Sequence, residues 1–346
     1  MIREMIKKLF NDEAGVSPIV ATLVLIVVAI AGAAAVGMIM GTFSSNVADN
    51  ANTGNTAQSA STEILVAGST TVQPVSELLA KAYMAKYPGI KITVQGGGSG
   101  AGIASAGTGV VDIGAASKYL TNDDKAKYPE LDQHTIGGSA VVVIEHGFAA
   151  VPAYVTKAEL KALYDGNTST VTIGGINPAA GTLVYQRTEA SGTEETFAGF
   201  LGLGSNVDSQ IADTNTVLAN AIGNDGVLKA IMGSTGPAIG FVDYGYAKDA
   251  GATMIPVDTD ATGTGTYAPV PVNDANVKAG VKARLAGTET TATTSTTYPV
   301  ELCRPLNYLT NGQPSSTVDN FVQFAMSPGS LDYFHKAGYF GISELS

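Results

Sequence analysis

The chain has 346 residues, a formal net charge of −11 and a pI near 4.7. Apolar residues make up 45% and charged residues 14%, which gives a globular bulk without the basic face that a nucleic-acid backbone requires; no Lys/Arg cluster follows residue 10. A single cysteine, Cys303, excludes an internal disulfide and a cysteine-based metal site, and His134, His146 and His335 lie too far apart in sequence to suggest zinc spacing.

Residues 1–15 mix Arg3, Lys7 and Lys8 with Glu4, Asp12 and Glu13. Val16 to Met40 then runs 25 residues without a charge. At about 1.5 Å per residue a helix of that length crosses a bilayer, and it is too long for an ordinary secretory segment. The junction Gly15-Val16-Ser17-Pro18-Ile19-Val20 resembles the signal of archaeal type IV pilin-like proteins. That resemblance implies a cut between Gly15 and Val16. Residues 1–15 would be a leader peptide, and 16–43 a hydrophobic anchor helix or filament-core helix. Gly37-x-x-x-Gly41, with Ala33 one turn earlier, offers a small-residue face for helix packing; a plain signal-anchor helix fits the same composition. Residues 44–61 are polar and read as a flexible linker.

From Glu63 onward, strands and helices alternate. Glu63–Ala67 is a short apolar run, followed by the turn Gly68-Ser69-Thr70-Thr71. Pro74 sits where a helix can start, with Val75, Leu78, Leu79, Ala82 and Tyr83 at helical spacing before Pro88-Gly89. Ile90, Ile92 and Val94 alternate as a strand, and Gly96–Gly102 leads into another helix. Val110–Ile113 reads as a third strand, ending near Asp112. Val141–Ile144, Leu183–Gln186 and Ala238–Val242 are strand-like. Thr156-x-x-Glu159 and Ser191-x-x-Glu194 have the spacing of capping boxes, and Val318, Phe321, Val322 and Ala325 mark a late helix. The class is α/β with mostly parallel sheets.

Three segments share one design of strand, small-residue turn and helix. They are Gly68–Thr71, Gly98-Ser99-Gly100 and Arg187–Thr193. A helix N-terminus carries free N–H groups and partial positive charge, small residues let an oxyanion approach, and hydroxyls add donors. Converging, they would form a cradle for a tetrahedral anion, with Arg187 supplying a full charge and a forked donor. Ser191 is equally well explained as a simple helix cap. Gly96-x-Gly98-x-x-Ala101 loosely matches a dinucleotide loop but lacks the acidic residue about 20 positions on. No P-loop, nucleophile elbow, nucleophile–base pair or metal-ligand spacing supports an enzyme. Cys303 and Arg304, inside the apolar run PVELCRPLNYL, read as structural.

GSTTVQP at 68–74, QGGGSGAGI at 95–103, VDIGAAS at 111–117 and RTEASGT at 187–193 closely resemble, in order and spacing, the phosphate-binding proteins of phosphate ABC importers. The resemblance covers roughly residues 62–346. It implies a type II periplasmic binding-protein fold of two lobes joined by crossing strands, with lobe one at 62–145 and 256–346 and lobe two at 146–255. It implies no enzymatic activity and no cofactor. It further implies inorganic phosphate as ligand, a membrane permease as partner, and a place on the cell surface, held through the N-terminal helix. Matched residue by residue, Thr70, Thr71, Ser99 and Asp112 would face the ligand from lobe one, and Arg187, Ser191, Gly192 and Thr193 from lobe two. Asp112 would accept the proton that phosphate carries and sulfate lacks, and so discriminate between them. Ser117 is open to two readings, an added donor or a helix cap. Lys118 stands where many members of that family have Arg, in a supporting position. A pilin-like filament subunit with a binding-protein head is the competing reading.

Overall fold

β1 (Thr62–Gly68) buries Ile64 and Val66 and ends in a turn that feeds α1 (Gln73–Lys86), whose Pro occupies the first turn. Val75, Leu79 and Tyr83 place one helical face against the sheet. In this computed structural model the described residues are 62–165, 171–188, 191–204, 207, 216–259, 269–287 and 297–346. The expected leader 1–15, anchor 16–43 and linker 44–61 lie outside them. Residues 61–346 form one compact unit. No helix among the described residues is long and apolar enough to cross a membrane.

After β2 (Ile90–Gly96) come α2 (Ser99–Gly107), β3 (Ile113–Ala116), α3 (Asn122–Lys127) and the 16-residue β4 (Leu131–His146). The chain continues through β5 (Val155–Thr156), α4 (Lys157–Tyr164), β6 (Thr182–Arg187), α5 (Gly192–Leu201), β7 (Thr216–Ala221), α6 (Gly223–Met232), β8 (Ala238–Asp243) and α7 (Tyr244–Asp249). It closes with β9 (Thr253–Ile255), β10 (Val257–Asp258), α8 (Asp274–Leu285), β11 (Cys303–Asn311), α9 (Ser316–Met326), α10 (Leu331–Lys336) and β12 (Phe340–Gly341).

The strand order is β2-β1-β3-β11-β4-β8-β6-β7. The flanking strands pair in parallel, β1 with β2 and β3, β6 with β7 and β8. The centre is antiparallel: β4 pairs β11 along Leu131–Ala140, then β8 along Val141–His146. One strand therefore belongs to both halves of the sheet. Its buried run from Ile136 to Glu145 reflects cover on both faces.

One core gathers Ile64, Val66, Leu79, Ile113, Tyr308 and Phe321. A second gathers Val141–Ile144, Phe197, Phe241 and Ile239, with the Phe197 and Phe241 rings stacked at 4.2 Å and Tyr164 edge-on to both. Val257, Val277, Val281, Tyr298 and Leu302 join this second core, so it draws on chain beyond residue 255.

The third strand differs from its sequence reading. It begins at Ile113 because Val110 is 69% exposed and the buried positions are Gly114, Ala115 and Ala116. Small residues are required there: α2 lies directly on the strand, and a side chain at Gly114 would run into the Gly102 carbonyl. The same closeness makes Gly102 sensitive, since its added methyl would meet the Ala115 carbonyl and Gly68 Cα, neither of which can swing aside.

Gly102→Ala is therefore expected to cost about 2 kcal/mol or more, read as a lowered urea midpoint. Cys303 is 1% exposed and burial pushes its thiol far up. It is expected to resist iodoacetamide at pH 7 in the native protein and to react once the chain is unfolded.

Candidate functional site

The carboxyl ends of β1, β3, β6 and β8 meet at the middle of the sheet, and the turn after each supplies a polar group. β1 delivers Ser69, Thr70 and Thr71; β3 delivers Ser117; β6 ends in Arg187 and leads to Ser191–Thr193; β8 ends in Asp243. Gly98, at φ +89°, directs the chain so that Ser99 opens α2. The Gly98 N–H donates to the Gly68 carbonyl at 2.9 Å, tying the first two turns together.

The third turn comes to them from the other half of the sheet. Arg187 Nη2 donates to Thr70 Oγ1 at 3.2 Å, and the Thr71 and Thr193 hydroxyls lie 3.3 Å apart. A methyl on Gly192 would sit 2.6 Å from Ser99 Oγ and 2.7 Å from Ser117 Oγ, so a glycine is needed for the approach. Ser191 caps α5, accepting from the Thr193 and Glu194 N–H groups at 3.2 and 3.4 Å. Thr70, Thr71, Ser99, Arg187, Ser191, Gly192 and Thr193 are thus brought together. Most are almost completely buried.

Asp112 is not with them. It precedes β3, whereas the cradle lies after β3, and the intervening strand separates the two by roughly 16 Å at about 3.3 Å per residue. Its carboxylate is exposed and accepts the Leu65 N–H at 2.8 Å. It caps the entry of the strand and has no path to an anion in the cradle. The proton-acceptor role expected for Asp112 falls with its position.

Three groups that sequence reasoning did not assign to the site, Arg304, Asp243 and Asn224, take the centre. Arg304, 2% exposed on β11, pairs with Asp243, 0% exposed, at 2.6 Å. Its Nη2 also donates to Thr71 Oγ1 at 2.9 Å, and its Nη1 to Thr193 Oγ1 at 3.0 Å and Ser117 Oγ at 3.3 Å. Asn224, at the start of α6, donates to Thr71 Oγ1 at 2.9 Å and accepts the Asp243 N–H at 3.0 Å and Arg187 Nη1 at 3.3 Å. Burial pushes the Asp243 carboxyl up from its ordinary value, against the pull of Arg304, the Gly245 N–H and the Ser139 hydroxyl. A signal for Arg304 was available: a full charge within a strand of otherwise buried residues must be paired. Lys118 reaches across to Glu195 on α5 at 2.6 Å, consistent with a supporting position.

A cluster of donors around two guanidinium groups, with one carboxylate already engaged, suits an oxyanion. Among the described residues no group of His, Cys, Asp and Glu could hold a metal ion.

Residues 53–328 match a family model described as a PBP superfamily domain. The phosphate-binding protein PstS of Bacillus subtilis is 26% identical over 211 residues, 60% of this chain and 66% of that protein. PstS 2 of Streptococcus pneumoniae is 35% identical over 115 residues, 33% of this chain and 38% of that protein. The matched stretch thus spans less than two thirds of either relative. Among solved structures, an ABC-type phosphate transport receptor from Vibrio cholerae aligns with TM-score 0.56 at 22% identity, covering 80% of this chain and 99% of that one. A human phosphate-binding apolipoprotein aligns with TM-score 0.59 at 17% identity, covering 82% and 92%. These likenesses show the fold.

Removing one partner of the buried pair leaves a charge in the core. Asp243→Ala is expected to destabilise by about 3–5 kcal/mol, whereas Asp112→Ala, which loses one exposed hydrogen bond, should cost about 1 kcal/mol or less. Urea unfolding of the two variants distinguishes these values.

Proposed function

We propose, on the premise that this chain belongs to the PBP superfamily domain family, that it is an extracellular substrate-binding protein which captures inorganic phosphate and delivers it to an ABC-type phosphate importer. It binds and releases its ligand without changing it. The observation that carries this reading is the convergence of three helix-opening turns and Arg187 on one buried point, with donors supplied from both halves of the sheet. The fold is that of type II periplasmic binding proteins, and the phosphate-binding relatives from Bacillus subtilis and Streptococcus pneumoniae point to the same ligand.

In this reading the phosphate oxygens receive N–H groups from the turns at Thr70, Ser99 and Gly192. Hydroxyls of Thr70, Thr71 and Ser99 and the Arg187 fork complete the shell, while Ser191 and Thr193 hold the third turn in place. Ligands come from both halves of the sheet, the second of which also takes in Val141–Ile144 and Val257, Val277 and Val281 and so departs from the expected lobe bounds, and the anion favours the closed arrangement by its differential affinity for it. Residues 16–43 hold the protein on the outer face of the membrane beside its permease, with residues 44–61 as spacer.

The test is calorimetric titration of the full-length protein in mild detergent with phosphate near pH 7. The expected Kd is about 1 µM or tighter, equivalent to about 8 kcal/mol. Arg187→Ala should weaken it roughly 10- to 100-fold, the worth of a charged hydrogen bond. Asp112→Asn should leave affinity within about twofold of the native value. A folded protein that gives no heat with phosphate overturns the proposal.

A further inference from the structure

The hydroxyls of the cradle are not free to turn. Ser69 Oγ accepts two backbone N–H groups, from Thr71 at 3.2 Å and Val72 at 3.4 Å. Its lone pairs are taken, so its proton goes to Ser117 Oγ at 3.0 Å. Ser117 Oγ accepts a second donor, Arg304 Nη1. Its own proton must therefore leave toward Ser99 Oγ, 3.2 Å away. Ser99 Oγ already accepts the Ser117 N–H at 3.1 Å, which leaves the Ser99 proton to point outward.

The second arm obeys the same logic. Thr71 Oγ1 accepts from Arg304 Nη2 and from Asn224 Nδ2, both at 2.9 Å, so it too can only donate. The Asn224 amide cannot flip, because its oxygen accepts the Asp243 N–H. Thr193 Oγ1 accepts from Arg304 Nη1 and donates to Asn224 Oδ1 at 3.4 Å. Arg304 is common to both arms. A guanidinium has donors and no acceptor, and its Asp243 partner fixes its plane.

We propose that Arg304 is a positioning residue which forces the hydroxyls of Thr71, Ser99 and Ser117 to act as donors, so that the cradle favours the phosphate form with fewer protons. This rests on the phosphate reading above. Each proton on the ligand needs an acceptor. Thr71, Ser99 and Ser117 offer none, and the Asp243 oxygens are engaged by Arg304, Ser139 and the Gly245 N–H. The charged and titratable groups around Arg304 are Asp243 on β8, Arg187 on β6, Glu195 on α5, Lys118 and Tyr119 after β3, Arg284 on α8, and Glu301, Cys303 and Tyr339. No histidine is among them; His134 bonds Thr310, His335 bonds Glu344 and His146 is exposed. The titrating partner near neutrality is the ligand itself.

The experiment titrates full-length protein in mild detergent with inorganic phosphate at pH 6 and pH 8, comparing the native chain with Arg304→Lys and Arg304→Gln. Native affinity should rise roughly tenfold between the two, tracking the dianion fraction of a phosphate that ionises near neutrality. Arg304→Lys, still donor-only, should bind more weakly and keep that rise. Arg304→Gln, whose amide oxygen can accept and so free a hydroxyl to turn, should show a rise below about threefold. Native affinity that is flat or falls with pH overturns the inference while phosphate binding stands. A Gln variant with the native slope also overturns it, since Arg304 would then be structural. Absence of binding at both pH values removes the phosphate reading and this inference with it. If circular dichroism shows both variants unfolded, the native profile decides.

Discussion

The ion pair between Arg304 and Asp243 is the contact on which the middle of the molecule depends. Taking two charges out of water costs several kcal/mol each, and the attraction compensates only where the remaining donors and acceptors are satisfied. Here they nearly all are. Asp243 is held by Ser139 from β4 and by the Gly245 N–H, while Arg304 spends its terminal donors on Thr71, Ser117 and Thr193. The pair thus couples three strands and three turns through one guanidinium. It also explains why β11 tolerates a charge among buried neighbours.

The architecture around the pair follows from one long strand. β4 changes partner between Ala140 and Val141, from β11 to β8. Arg304 pairs with Ser139 in that ladder and Asp243 with Val141, so both charges sit at the point where the partner changes. Groups from the two halves can meet there and at few other places along the sheet. The position of the cradle is a property of the topology, and the residues at the strand ends exploit it.

Much of this was legible in the chain. The hydroxyl-rich turns at 68–71, 98–100 and 187–193 announced themselves through glycine and serine spacing, and local signals of that kind survive folding unchanged. The capping box at Thr156 and Glu159 is present as read, as is the helix beginning near Ser316. The failures were of position. Asp112 belongs to a stretch that matches the expected pattern, but it lies at the end of β3 away from the cradle, and where a strand's ends fall is not written in a seven-residue motif. Arg304 lies more than 100 residues from every residue its side chain hydrogen-bonds except Asp243, 61 residues away. A charge inside an apolar run signals that Arg304 must be paired, but its partners are set by β11 pairing, a long-range event that the local sequence does not spell out. The buried Gly-Ala-Ala of β3 escaped because small residues carry little hydrophobic signal; their meaning is the nearness of α2.

The acidic character of the whole chain has a kinetic consequence. With a net charge of −11, the chain repels an approaching anion at long range, while Arg187 and Arg304 are buried and Arg304 is paired with Asp243. Their pull does not extend far into solvent, where fields fade over about 8 Å at physiological ionic strength. On the proposed phosphate reading, capture therefore owes nothing to long-range steering. An anion arrives by diffusion against a weak barrier and is recognised only once inside, so raising the salt concentration lowers the barrier to entry and leaves the enclosed contacts largely unscreened.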